Sequence, residues 1–239
     1  MNMAELRSVR TPWTDIIAAQ QNPALMAACL ERLAEKYRDP IHVFILRTLR
    51  INRPEIADDL TQAFFLHFIE TDALSKLDRD RGRLRNWFMT SVQRFVWDEM
   101  KKGSRKNAAS PFCKLDRLPA GDIVLADKSS PAPQEEFNRQ WAREMFDDAV
   151  TAFRRYCGDK GKQHYFNVFE RHVLSGEKDM APSYEDTAAA LAISAKDVSN
   201  HLGRAKKKFQ SLLREQVRAT VGSDDEVDDE LRDMLRYFG

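Results

Sequence analysis

Residues 183–213 read SYEDTAAALAISAKDVSNHLGRAKKKFQSLL, and their pattern decides how the second half of the chain folds. The stretch describes two helices joined by a tight turn, each marked at its start. Ser183 follows Pro182 and has Asp186 three residues on; Ser194 has Asp197 three residues on. In both places the hydroxyl can accept an orphan N–H of the first turn, and the carboxylate lies at the positive helix end. Ile193 is placed to plug the angle, while Ala188, Leu191, Val198 and Leu202 supply a small shared core. This is the layout of a helix-turn-helix.

The second of these helices divides its surface. Val198, Leu202, Ala205, Phe209, Leu212 and Leu213 recur at helical spacing and form the inward stripe. Lys196, Ser199, Asn200 and Arg204 lie outside it near the N-terminal half, the part that meets base edges when such a helix enters a major groove. Lys206, Lys207 and Lys208 form a cationic run suited to phosphates. The pattern points to DNA binding rather than to a merely solvated amphipathic helix.

Outward from this stretch, helical periodicity also covers residues 13–103 and resumes near Glu135, with Trp141, Met145, Phe146, Ala149, Val150 and Phe153 on one face. It breaks at Gly158 and Gly161 and runs again through Tyr165, Phe166, Phe169 and Val173. Between the halves, residues 104–134 hold Pro111, Pro119, Pro131, Pro133 and Gly121 without a sustained period, which reads as a linker. The expected organisation is a helical domain over 1–103, the linker over 104–134, a helix-turn-helix domain over 135–217, and an acidic extension over 218–239.

Composition agrees with an all-α fold. Nine glycines and nine prolines in 239 residues are few for a β-rich protein, and charged amphipathic segments dominate. Lys+Arg number 38 against 37 Asp+Glu, so the net charge of +1 hides any polarity along the chain. No apolar run is long enough to span a bilayer and the start, MNMAELRSVRTPW, lacks the apolar core of a signal peptide; a cytoplasmic location without membrane association is expected. Cys29, Cys113 and Cys157 are scattered, and His42, His67, His164, His172 and His201 include no pair at zinc-helix spacing. P-loop, dinucleotide and nucleophile-elbow motifs are absent from the sequence, so no enzyme activity, metal or cofactor is expected.

The first half supplies a second signal. ADDLTQAFFLHFIE, residues 57–70, has an acidic polar opening and a dense aromatic face. Leu60, Phe64 and Phe68 are expected inward, with Asp58, Asp59, Thr61, Gln62 and His67 outward. Next, Arg79, Arg81, Arg83 and Arg85 crowd a turn at Gly82, ahead of a helix bearing Trp87, Phe88, Phe95 and Trp97 and ending in Lys101 and Lys102. Arginines beside aromatics provide what unstacked bases need: cations for phosphates and flat rings for bases. Four alternate arginines serve no core, so the loop is expected to face nucleic acid.

In this order the parts resemble an extracytoplasmic-function sigma factor, the small promoter-specificity subunit of bacterial RNA polymerase. DDLTQAFFLHFIE (58–70), GRLRNWFMTSVQRFVWDEMKK (82–102) and YEDTAAALAISAKDVSNHLGRAKKKFQSLL (184–213) carry the resemblance. The opening WTDIIAAQQNPALMAACLERLAEKYRDPIHVFILR (13–47) is similar to the first helices of a subgroup that often carries an acidic C-terminal extension. The resemblance implies that Asp58, Asp59, Gln62, Phe65 and Leu66 dock on the clamp helices of the largest core polymerase subunit. It further implies that Arg79, Arg81, Arg83, Arg85, Trp87 and Arg94 recognise and melt the −10 promoter element, capturing a flipped base. Lys196, Ser199, Asn200, Arg204, Lys206, Lys207 and Lys208 would then read the −35 element as duplex. The linker would run towards the RNA exit path, and an anti-sigma factor or other regulator is a further partner such proteins can have. Ala63 stands where many members have Glu, Arg94 where Asn is common, and Ala192 where the turn often holds Gly. The alternative classes are a helix-turn-helix regulator that binds duplex DNA without polymerase, and a helical adaptor that binds only protein.

The acidic end holds Asp224, Asp225, Glu226, Asp228, Asp229, Glu230 and Asp233 together with the stripe Val227, Leu231, Met234, Leu235 and Phe238. A solubilising tail has no need of that stripe, so a docked amphipathic helix is expected. Its expected target is the basic −35 domain just upstream, where it would act as a brake on DNA binding; the alternative is a helix that completes a core.

Overall fold

The computed structural model describes residues 12–49, 54–103, 132–175 and 182–238. The opening MNMAELRSVRT, Cys113 and the linker up to residue 131 lie outside the described residues, as does the side chain of Lys102. Every regular element among the described residues is helical, so the chain is all-α. No described helix is long and apolar enough to cross a membrane. The chain forms two compact units, and the first is discontinuous: Met1–Glu144 joins with Arg218–Gly239, while Met145–Val217 forms the second. The expected boundaries thus differ in two places, because the acidic extension and the start of the helix after the linker both belong with the first half.

Unit one is built from α1 (Pro12–Gln21), α2 (Met26–Leu49), α3 (Pro54–Glu70), α4 (Leu84–Gly103) and the first part of α5 (Pro133–Asp159). Proline opens α1, α3 and α5, where its fixed φ suits the first turn and its missing N–H would have lacked a partner anyway. The core is aromatic. Tyr37 of α2 stacks on Phe88 of α4 at 4.0 Å, Phe88 stacks on Phe68 of α3 at 5.8 Å, and Phe64 meets Phe95 edge-on at 5.6 Å. Phe137 of α5 meets Phe44 of α2 at 6.4 Å, which fixes the helix after the linker in this core. The Gln20 side-chain amide donates to the Leu74 and Leu77 carbonyls at 2.9 and 2.8 Å, tying α1 to the irregular connection between α3 and α4.

The last element, Glu226–Leu235, packs into this same unit. Val221, Val227 and Met234 are fully buried, and burying three such side chains stabilises by roughly 6 kcal/mol. The Thr220 carbonyl accepts the Leu84 N–H at 3.0 Å, so the returning chain satisfies a donor at the start of α4. Glu226 fastens the turn ahead of its helix by accepting from Gly222 N at 2.9 Å and Ser223 N at 3.3 Å. The expectation that the acidic helix rests on the −35 domain is therefore overturned. It completes the core of the first unit, and its outer stripe is only partly used: Leu235 and Phe238 are exposed.

Unit two holds the rest of α5, α6 (Gln163–Phe169), a π-helical turn at Glu170–Leu174, α7 (Tyr184–Leu191) and most of α8 (Ala195–Arg218). α5 continues through Gly158 and ends before Gly161, whose φ of 62° is the left-handed turn that a side chain would resist. Phe153 sits at the centre of an aromatic core, 5.1 Å from Phe169, 5.9 Å from Phe166 and 6.2 Å from Phe209. Beside it, Ala188, Val198 and Leu202 form a small cluster that Val168 of α6 joins; Leu191, expected within that core, is partly buried against it together with Ile193.

Candidate nucleic-acid interface

The turn between α7 and α8 follows from local chemistry. Asp186 N donates to Ser183 Oγ at 3.0 Å and Asp197 N donates to Ser194 Oγ at 3.0 Å, so both start signals are real caps. Each hydroxyl then donates to the carboxylate three residues on, at 2.7 Å. That bond from Ser194 holds the Asp197 carboxyl below its ordinary value. α7 closes with Ile193 N donating to Ala188 O at 3.1 Å and Ala192 N donating to Ala189 O at 3.4 Å, the double bond pattern of a Schellman ending. Ala192 occupies its left-handed position at φ 53°, where glycine is usual and a Cβ costs about 1 kcal/mol.

On α8, Val198, Leu202, Ala205, Phe209 and Leu213 are buried as expected, and Leu212 is half-buried at the edge of the stripe. Lys196, Asn200, Gly203 and Lys207 are exposed and share the outward line at helical spacing. Ser199 and Lys206 lie to one side of that line, and Arg204 and Lys208 to the other. The three lysines therefore project in different directions rather than as one patch. Lys206 acts on His172, whose pKa is lowered first by burial and then by Lys206 and Arg171. Arg204 donates to the Tyr165 hydroxyl at 3.1 Å, and Lys208 Nζ lies 4.6 Å from the Tyr156 ring centroid.

In unit one, Leu60 and Phe64 lie buried beneath the polar face of α3. Asp58 is partly exposed and pairs with Arg38 of α2 at 2.7 Å, with His42 Nε2 at 3.7 Å. Thr61, expected outward, is buried because its hydroxyl donates to the Ala57 carbonyl at 2.7 Å and satisfies itself within the helix. Asp59 and Phe65 are partly exposed, and Gln62 is exposed. Leu66 at 60% and Ile69 at 54% exposure stand with Gln62 at i, i+4 and i+7, an apolar strip in solvent. Ile69 is a residue the sequence pattern did not single out, since an apolar residue near a helix end carries no mark of exposure.

The four arginines of the 79–85 loop do not share one role. Arg81 is exposed and paired with Asp78 at 3.2 Å. Arg79 donates from Nε to the Gly222 carbonyl at 3.0 Å while remaining exposed. Arg83 is largely covered and bridges Asp233 at 2.6 Å and Glu230 at 2.8 Å. Burial alone would lower its pKa, but the Asp233 hydrogen bond and the charges of Glu230, Asp233 and Glu226 outweigh this and raise it. Arg85 is 5% exposed. Its guanidinium grips both oxygens of buried Glu230 at 2.9 and 2.7 Å, donates to Asn138 at 2.6 Å and lies 4.7 Å over the Trp141 ring. Arg85 is thus a core residue, contrary to the expectation that the loop arginines all face nucleic acid.

Trp87 is half-buried, edge-on to Phe68 at 5.5 Å and to Phe88 at 5.3 Å. The open face of α4 is a different one. Asn86, Thr90, Arg94, Trp97 and Lys101 are exposed along one line, and Trp97 retains 52% of its surface in solvent. A ring so placed is available for stacking, with Arg94 and Lys101 able to supply charge beside it. Comparison with protein families, with curated proteins and with solved structures returns no match to this chain.

Proposed function

We propose that this chain is a sigma factor of the extracytoplasmic-function type, which binds bacterial core RNA polymerase and directs it to promoters. One observation carries the reading: a single chain pairs two different surfaces, each suited to a different state of DNA. The outward line of α8, with Lys196, Asn200 and Lys207 flanked by Ser199, Arg204, Lys206 and Lys208, suits an intact duplex groove. The Trp97 line of α4, with Asn86, Thr90, Arg94 and Lys101, suits unstacked bases of an opened strand. On this reading α3 docks the polymerase through Asp59, Gln62, Phe65, Leu66 and Ile69, while Asp58 also braces α2. Trp97 takes the stacking role expected of Trp87, and Arg79 and Arg81 remain the loop cations open to phosphates.

The engagement of Arg83 and Arg85 by the acidic helix favours a second reading, a regulator that binds duplex DNA through the α7–α8 pair without polymerase. One assay separates the two. Purified protein is added to core polymerase on a library of genomic promoter fragments, and run-off transcripts are sequenced. New start sites that require the protein are expected. Duplex binding by the protein alone, with no transcript gained in the presence of core enzyme, would favour the regulator.

A further inference from the structure

Unit two carries a cation cluster built on two tyrosines at the flank of α8. Lys162 sits in the turn after α5, with Nζ 5.6 Å from the ring centroids of both Tyr156 and Tyr165, and donates to the Tyr156 hydroxyl at 3.3 Å. Lys208 adds a second ammonium over Tyr156, and Arg204 is tied to the Tyr165 hydroxyl. His201 lies against Tyr165 at 5.0 Å between ring centroids, closing the gap between α6 and α8. Elsewhere in the chain, several arginines sit on carboxylates, such as Arg32 on Asp15 and Arg218 on Asp224. Here, among the described residues, aromatic rings and hydroxyls are the partners of all three cations.

That arrangement is informative because rings hold cations without neutralising them. A ring contact at an exposed site is worth about 0.5–1 kcal/mol, enough to restrict a lysine but too little to cancel its charge. Three like charges held, among the described residues, by rings and hydroxyls form a positive site whose geometry is set before any anion arrives. Its position gives the identity of the anion. Arg204 and Lys208 lie on the same flank of α8, beside the outward line of Lys196, Asn200, Gly203 and Lys207. A helix in a major groove has a phosphate strand along each flank, since the groove is about as wide as the helix itself.

We propose that Lys162, held by Tyr156 and Tyr165, grips a duplex phosphate on the wall of the groove that α8 reads. This rests on the reading of α8 as a groove-binding helix and adds a contact from outside the two-helix motif. The test uses the full-length protein, alone and assembled with core polymerase, titrated with a fluorescent mixed-sequence DNA duplex over a range of salt. Lys162→Gln should reduce the magnitude of the log–log salt slope by about 0.9, the loss of one phosphate contact. Tyr156→Phe keeps the ring but removes the hydroxyl that fixes Lys162, and should weaken binding in the same direction. Lys160→Gln is the control: it is an exposed cation of the same turn, two residues away. If Lys160→Gln and Lys162→Gln shift the slope equally, Lys162 supplies only general attraction and the proposal falls. An unchanged slope for Lys162→Gln also overturns it, as does weakening of an acidic polypeptide probe with duplex binding intact. Absence of duplex binding by the unaltered protein in either state rejects the reading of α8 itself, which is a separate result.

Discussion

Gly203 costs its helix about 1 kcal/mol relative to alanine, yet nothing lies within 4 Å of where a Cβ would stand. Packing therefore does not require it. It occupies the centre of the outward line of α8, where a missing side chain lets another surface approach the backbone. Gly203→Ala should raise the stability of unit two by about 1 kcal/mol and weaken duplex binding several-fold. A stabilised variant with unchanged affinity would remove this line from the contact. His172 gives a second residue-scale prediction. Its Nε2 lies 3.0 Å from the Oγ1 of buried Thr187, and burial, Lys206 and Arg171 lower its pKa from 6.5. Because the folded value is below the unfolded one, the unfolded chain takes up more protons between them. The contribution is complete above about pH 6.5 and declines as pH falls through that value towards the folded pKa. The protection of the α7 amides, measured relative to the intrinsic exchange rate at each pH, should fall as pH drops below about 6.5, and His172→Gln should lessen that change. Equal loss of protection in both proteins would place the sensitivity elsewhere. The two serine caps were legible in the sequence because each depends on residues three apart. The burial of Arg85 was not, because its carboxylate partner is 145 residues away.

At the scale of elements, the acidic helix shows what an amphipathic pattern conveys and what it leaves open. The stripe Val227, Met234 and their neighbours required that the helix dock, and it does. The destination depended on two basic targets, the lysine run of α8 and the arginines of the 79–85 loop. Planar guanidinium groups bind a carboxylate through two parallel bonds, which a lysine ammonium does not match. Glu230 accordingly lies between Arg83 and Arg85, with Asp233 at the rim. Removing Glu230 deprives buried Arg85 of its bidentate carboxylate and leaves Asp233 at 3.7 Å from it, so Glu230→Ala should destabilise unit one by about 3–5 kcal/mol. Glu230→Gln, which keeps two polar atoms near the arginines, should cost less. Chemical denaturation followed by tryptophan fluorescence reads this directly, since all four tryptophans lie in that unit. If Glu230→Ala unfolds at the same midpoint as the unaltered protein, the ion cluster contributes nothing and the apolar face alone holds the helix.

At the scale of the whole molecule, the α3 strip allows the proposed docking role to be tested apart from the fold. Leu66 and Ile69 keep more than half of their surface in water, so Leu66→Glu with Ile69→Glu should leave the folded state within about 0.5 kcal/mol per site while abolishing association with core polymerase. Retained association, measured by co-elution, would move the polymerase contact off α3. The all-helical class was legible from spacing and composition alone, whereas the grouping of elements was not, because periodicity reports a buried face and not its distant partner. The discontinuous first unit also has a consequence for biosynthesis. Domains commonly fold in the order in which they emerge from the ribosome. Here the second unit can close once Val217 has emerged, while the first waits for Val221, Val227, Glu230 and Met234. Until then Arg83 and Arg85 have no acidic helix against them, and the half of the protein made first is the half finished last.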